Sequence, residues 1–173
     1  MDIEHERARV AAQDAELRGA ACGGDAAWQL GCLLREAALA RGAALAIEVR
    51  LAMQTVFFCA MPSSTPLTAD WVRRKRNVAE LFGASSYGVG LGLRAEGISL
   101  QDKTGLATRD YAAFGGSVAL RAADGQIWGC ATVSGLPQRD DHELVVDAVR
   151  RWRTGLATAQ IESGTRKQGP DGA

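Results

Sequence analysis

Residues 115–134 read GGSVALRAADGQIWGCATVS. Two runs within it, Ser117–Arg121 and Ile127–Ser134, are rich in apolar and β-branched residues, and Asp124-Gly125 stands between them. An Asp-Gly pair supplies the positive backbone φ that a tight turn needs, so this stretch predicts a β-hairpin. A similar arrangement occurs upstream. Ala44–Arg50 (ALAIEVR) and Gln54–Met61 (QTVFFCAM) are strand-like runs with a short connection, which predicts a second hairpin.

Helical signals surround the two hairpins. Asp25 is suited to cap a helix that runs to Arg41 and stops at Gly42. Its apolar residues fall on two faces, Leu30, Leu33, Leu34 and Ala37 on one and Trp28, Cys32 and Leu39 on the other, so it needs two partners. Pro62 to Pro66 break the chain, and a strong helix is expected from about Leu67 to Phe82. A weaker one, Tyr87 to Glu96, contains three glycines; a loop through Asp102–Gly105 and a helical turn near Asp110–Phe114 follow. The last helix is expected over Arg139–Arg153. Two hairpins joined through helices most simply make one antiparallel sheet packed with helices, an α+β fold of profilin-like or PAS-like two-layer architecture.

The domain so defined spans residues 25–153. Residues 1–24 predict a peripheral helix whose apolar positions Ile3, Val10 and Leu17 form only a thin stripe, fit to lie on the domain or on a neighbouring subunit. Residues 154–173 are polar and aperiodic and are expected to form a disordered tail.

With 20 basic and 20 acidic residues the formal charge is zero, which gives no electrostatic reason to expect nucleic acid or membrane as a partner. The N-terminus is charged throughout, lacking the apolar core of a secretory signal, and no apolar run is long enough to span a bilayer; a cytoplasmic protein is expected. Cys22, Cys32, Cys59 and Cys130 form no CxxC pair, and the last three sit in apolar runs, as small buried hydrophobes do. With only two histidines, no metal site is expected.

Two segments carry candidate chemistry. In TADWVRRKRNVAELFG (68–83), Trp71, Lys75, Val78 and Phe82 share one helical face, Arg74 lies at its edge, and Arg73 and Arg76 point away toward solvent. A lysine on an apolar face must snorkel, pair with an acid or meet an anionic ligand. In VSGLPQRDDHELVVDAVRRW (133–152), a strand ends near Ser134, Gly135 and Pro137 turn the chain, and Asp141 and His142 open a helix. Asp141 could be a simple cap, and His142 a general acid/base or an axial haem ligand. A hydrolase triad of Ser134, Asp141 and His142 is disfavoured: adjacent Asp and His on one helix have the wrong geometry, and no GxSxG elbow occurs. Ser85 and Ser86 after Gly83 suit caps and turns, while Gly115-Gly116 would admit a close backbone approach. GVGLGLRAEG follows no strand and is not a dinucleotide fingerprint.

DWVRRKRNVAELFGASSYGVGLGLR (70–94), DYAAFGGSVALR (110–121) and GCATVSGLPQRDDHELVVDAVR (129–150), in this order, resemble uncharacterised protein family 0303. That family is a branch of the haem-degrading-domain superfamily, which includes HbpS-like and GlcG-like proteins. Its pattern falls on Trp71, Arg74, Lys75, Phe82, Ser85, Ser86, Gly115, Gly116, Ser134, Gly135, Leu136, Pro137, Asp141 and His142. Gly90 and Gly92 depart from it. The resemblance implies a homo-oligomer and, loosely, haem.

Three functions are consistent with these residues. One is an oligomeric small-ligand binding protein with an anion-holding site at a subunit boundary. There Lys75 and Arg74 would hold the anion, Ser85, Ser86 and the Ser134–Asp141 turn would assist, and Trp71 and Phe82 would form apolar walls. A second is an enzyme on haem or a small anionic metabolite, with His142 as acid/base and Lys75 as electrostatic stabiliser. The third is a structural adaptor in which the cluster is an interface salt-bridge network.

Overall fold

A computed structural model describes residues 2–19 and 23–166 of the chain; Cys22, and residues 167–173 of the expected tail, lie outside the described residues. The elements are α1 (Ile3–Glu16), α2 (Gly24–Ala40), β1 (Ala46–Leu51), β2 (Gln54–Ala60), α3 (Pro66–Phe82), α4 (Ser86–Glu96), α5 (Leu100–Thr104), β3 (Ser117–Arg121), β4 (Ile127–Ser134) and α6 (Gln138–Arg166). Both hairpins form, and they join through β1 and β4 into one antiparallel sheet of order β2-β1-β4-β3. The fold is α+β, as the alternation of strand and helix signals implies.

Strand alternation sends Ile47, Val49, Val118, Leu120, Ala131 and Val133 to one face. There they pack with Leu30 and Leu34 of α2 and with Leu144, Val145 and Val149 of α6 to make the main core. The other face is polar. It carries Glu48, Arg50, Thr132 and Ser134, and α3 lies across it: Arg76 donates to both carboxylate oxygens of Glu48 at 3.2 and 3.0 Å, and Arg50 pairs with Glu80 at 3.0 Å. The sheet therefore has helices on both sides. Arg76, expected in solvent, is mostly buried on this face, because Glu48 offers a carboxylate that helical periodicity alone cannot reveal.

Local signals set most element ends. Thr65 and Thr68 form a reciprocal capping box at the start of α3, with Pro66 at its first position, and Gly83 ends it in the left-handed conformation. At α2 the structure corrects the sequence reading: Gly23 occupies the cap and Asp25 lies inside the first turn, where its charge suits the helix dipole. Ser99 caps the short α5 across the expected 102–105 loop, and residues 111–114 are not helical. α6 continues past Arg153 to Arg166, so the stretch expected to be disordered is helical as far as that residue; a helix already anchored by packing propagates at little further cost. Cys130 is buried beside Glu80, and burial pushes its thiol well up, in keeping with an inert core residue.

The first hairpin turns through Ala52 (φ 47°) and Met53 (φ 63°), both left-handed and neither glycine. The φ pair is the one tight hairpins prefer, so register is kept, but each side chain opposes it by roughly 1 kcal/mol. Met53 is 75% exposed, so its removal costs little packing. Met53→Gly should therefore raise unfolding stability by about 1 kcal/mol in urea titration; an unchanged or lower midpoint would refute the strained turn.

Candidate functional site

The site forms where β3 enters the sheet beside the β4–α6 connection. A Cβ built on Gly115 would lie 1.9 Å from the Gln138 carbonyl oxygen, and one on Gly116 would lie 2.4 Å from that of Val133. Only glycine permits this approach, and Gly116 also has φ +127°. The two glycines bring the start of β3 against the first turn of α6.

Asp141 stands on that turn and is fully buried. Its Oδ1 accepts from the Leu136 backbone N–H at 3.0 Å, and its Oδ2 from Gly135 N–H at 3.3 Å. Lys75, reaching across from α3 and only 4% exposed, donates from Nζ to the same Oδ2 at 2.8 Å and to Ser134 Oγ at 3.1 Å. Burial draws the Lys75 amine below the ordinary lysine range and lifts the Asp141 carboxyl above its own, each shift opposed by the partner's charge. The lysine of the apolar face thus pairs with an acid, and the acid came from the second segment singled out in the sequence.

Above this pair opens a pocket of about 310 Å³. Lys75 and Ser134 line its floor; Leu67, Trp71, Phe114 and Leu136 form its walls, and Gln138 stands on its rim. Trp71 and Phe114 meet edge to face at 5.5 Å. The Arg74 guanidinium lies over the Trp71 ring, 4.2 Å from its centroid, and Nη2 donates to the Thr108 carbonyl at 2.6 Å. Of the expected ligand-binding residues, Trp71, Lys75, Ser134 and Gly135 line this pocket, Arg74 flanks it, and Asp141 and Gly116 pack beneath it.

The remaining candidates lie elsewhere. Ser85 caps α4 and donates through both N–H and Oγ to Asp14 of α1, at 3.0 and 2.9 Å. Ser86 Oγ donates to the Phe114 carbonyl at 2.6 Å and accepts from Ser117 N–H at 3.1 Å. Both serines are wholly buried and tie the fold together. Phe82 is partly exposed at the far end of α3. Gly90, the departure from the family pattern, lets α4 pass Ala113, whose carbonyl oxygen would sit 2.0 Å from an added Cβ.

His142 does not share the Lys75 pocket. One residue further round α6, it turns about 100° away and is sealed beneath α1. Gln13 donates to Glu143 at 3.0 Å, which fixes its amide so that its Oε1 accepts from His142 Nε2 at 3.0 Å. Tyr87 packs on the imidazole, 5.2 Å between centroids, and Nδ1 has no hydrogen-bond partner among the described residues. A proton on Nδ1 would be a buried, unsolvated charge, so burial depresses this histidine to about 4. It is a neutral core histidine. Sequence reading missed Gln13 and Glu6 of α1, whose polarity on a thin amphipathic stripe gave no sign that they face inward.

An antiparallel sheet that carries a buried Lys–Asp pair under an aromatic pocket defines a small α+β pocket domain. The model of the family described as haem degrading protein HbpS-like matches residues 23–150, and the chain belongs to that family. A UPF0303 protein of Paraburkholderia phymatum is 49% identical over 149 residues, 86% of this chain and 90% of that one. One from Edwardsiella ictaluri is 43% identical over 152 residues, 88% and 97% of the respective chains. Among solved structures, Ybr137w protein superposes with TM-score 0.78 at 22% identity, covering 86% of this chain and 88% of its own. The PduOC:heme complex gives 0.65 at 18%, over 76% and 94%, and HbpS 0.59 at 20%, over 76% and 89%. These structures share the fold. Among the described residues no helix is long and apolar enough to cross a membrane.

Proposed function

We propose that the protein is a cytoplasmic, homo-oligomeric small-ligand binding protein, and that the pocket above Lys75 holds a small carboxylate with an apolar or aromatic body at a subunit boundary. The observation that carries this reading is the pocket itself: aromatic walls over a floor of Lys75 and Ser134. Lys75 and Asp141 cancel each other's charge, while Arg74 meets an aromatic ring and a carbonyl and, among the described residues, forms no ion pair, so the three groups together carry one positive charge. One carboxylate balances it. The first turn of α6 at Gln138 adds the positive end of a helix dipole to the rim. Leu67 and Phe114 leave much of their apolar surface exposed at the same rim, 65% and 46%, which favours closure by a second subunit.

Haem, the partner in the PduOC:heme complex, does not fit this pocket. No histidine, cysteine, methionine or tyrosine lines it, His142 is sealed under α1, and His5 is exposed on α1. The usual axial ligands of haem iron are therefore missing from its walls.

Calorimetric titration with benzoate tests the reading. Wild type should bind it, and Trp71→Ala should weaken binding at least tenfold, about 1.4 kcal/mol. Equal affinity in the two proteins, or no binding by either, would remove the pocket from the function. Native mass spectrometry of the same samples should show an oligomer that Phe114→Asp dissociates; a monomeric wild type would end the subunit-boundary proposal.

A further inference from the structure

Only three of the 20 basic residues are lysines: Lys75, Lys103 and Lys167. In a chain whose other cations are nearly all arginine, the one placed at the pocket floor carries an amine that can lose its proton and become a nucleophile. Arginine cannot do this.

The surroundings of Nζ suit that chemistry. An ammonium has three N–H donors, and two are spent, on Asp141 Oδ2 at 2.8 Å and Ser134 Oγ at 3.1 Å. The third position is left for the pocket. Gly116 keeps the far side of Nζ open, since a Cβ there would stand 3.0 Å from it. Asp141 is within proton-transfer distance, and its burial favours the protonated carboxyl as burial of Lys75 favours the free amine. Ser134 donates no hydrogen bond to another described side chain in this cluster, so its O–H is free to meet a carbonyl oxygen.

We propose that Lys75 forms a Schiff base with a small 2-oxo acid bearing an apolar side chain, the carboxylate facing Arg74 and the carbonyl carbon facing Nζ. This rests on the reading of the pocket as a ligand site and adds covalent chemistry to it. Asp141 takes the ammonium proton, which frees the nitrogen lone pair. The C–N bond forms as the carbonyl π bond opens onto oxygen, oriented by the Ser134 hydroxyl. The carbonyl oxygen then leaves as water with the two remaining amine protons, and the C=N bond closes. Asp141 returns its proton to the imine nitrogen, which ends as the protonated Schiff base paired with the carboxylate. One water is released, Asp141 ends as it began, and no oxidant or reductant is consumed.

Phenylpyruvate with sodium cyanoborohydride, followed by peptide mapping, reads the adduct directly on the wild-type protein. The expected result is saturable labelling of Lys75, at least tenfold above that of Lys103 and Lys167, and absent in Lys75→Arg. Calorimetric titration without reductant separates the two levels of the argument. Binding of phenylpyruvate with no Lys75 adduct overturns the Schiff base and leaves the pocket standing. Neither binding nor labelling removes both. Equal labelling of all three lysines also overturns the proposal, because it marks ordinary amine reactivity and not a site. The wild-type peptide map decides the matter even if the arginine variant fails to fold.

Discussion

Lys75→Met is expected to destabilise the protein by about 3–5 kcal/mol, the usual cost of leaving one partner of a buried ion pair uncompensated. Asp141 is fully buried, and after the substitution its carboxylate keeps only the backbone N–H groups of Gly135 and Leu136. The loss should depend on pH in a definite direction. Burial already holds the Asp141 carboxyl above the ordinary carboxylate range, and without the lysine it rises further. A folded-state pKa above the unfolded one means that the native state binds the extra proton, so the variant gains stability as pH falls and loses it as pH rises. Lys75→Met/Asp141→Asn should recover about half of the loss, because the amide still accepts one backbone N–H and carries no charge. Urea titrations of the two variants at pH 5 and pH 8 measure all of this. A single variant within 1 kcal/mol of wild type, or one whose deficit grows on acidification, would mean that the pair is solvated in solution.

His142 should make the second largest contribution, and with the opposite sign. Its pKa falls from 6.5 to about 4 on folding because it is buried with Nδ1 unpartnered. Between those values the unfolded chain binds the proton and the native protein does not. The stabilising contribution is therefore complete above pH 6.5 and is lost as pH falls toward 4. At about 1.4 kcal/mol per unit, the full loss is about 3 kcal/mol. The groups facing the imidazole act in both directions: Glu143 and Glu6 favour its protonation, and Arg9 and Arg150 oppose it. Other carboxylates titrate in the same range, so the measurement is the difference between wild type and His142→Gln. That difference should grow toward neutral pH, with the variant's profile the flatter. Parallel profiles for the two proteins would show that His142 is protonated or exposed in the native state. Unchanged benzoate affinity in His142→Gln is expected as well, since this residue lies under α1 and not in the pocket.

Much of the fold was legible because its signals are local. Asp124-Gly125 announced the second hairpin, and the apolar, β-branched runs on either side of it became β3 and β4. The cap of α2 and the end of α6 were misread for the same reason. Several residues near Gly23 suit a cap, and nothing in the polar stretch after Arg153 compels the helix to stop. The site was legible in part. Trp71, Lys75, Ser134 and Asp141 stood out, whereas Phe114 and Leu67, ordinary apolar residues in sequence, became pocket walls only through packing.

The sequence by itself determined that an antiparallel sheet of two hairpins would form and that a lysine would sit on the inner face of α3, because periods of two and 3.6 residues are fixed by the backbone. It could not say which acid would meet that lysine. Asp141 lies 66 residues away, and the pair meets where the Gly115-Gly116 backbone leaves room for both side chains. Nor could it separate Asp141 from His142. Adjacent in sequence, they point about 100° apart on one helix. What stands on each side, α3 with its lysine or α1 with Gln13, is set by how whole elements pack. Packing also made one the partner of the pocket lysine and the other a neutral histidine of the core.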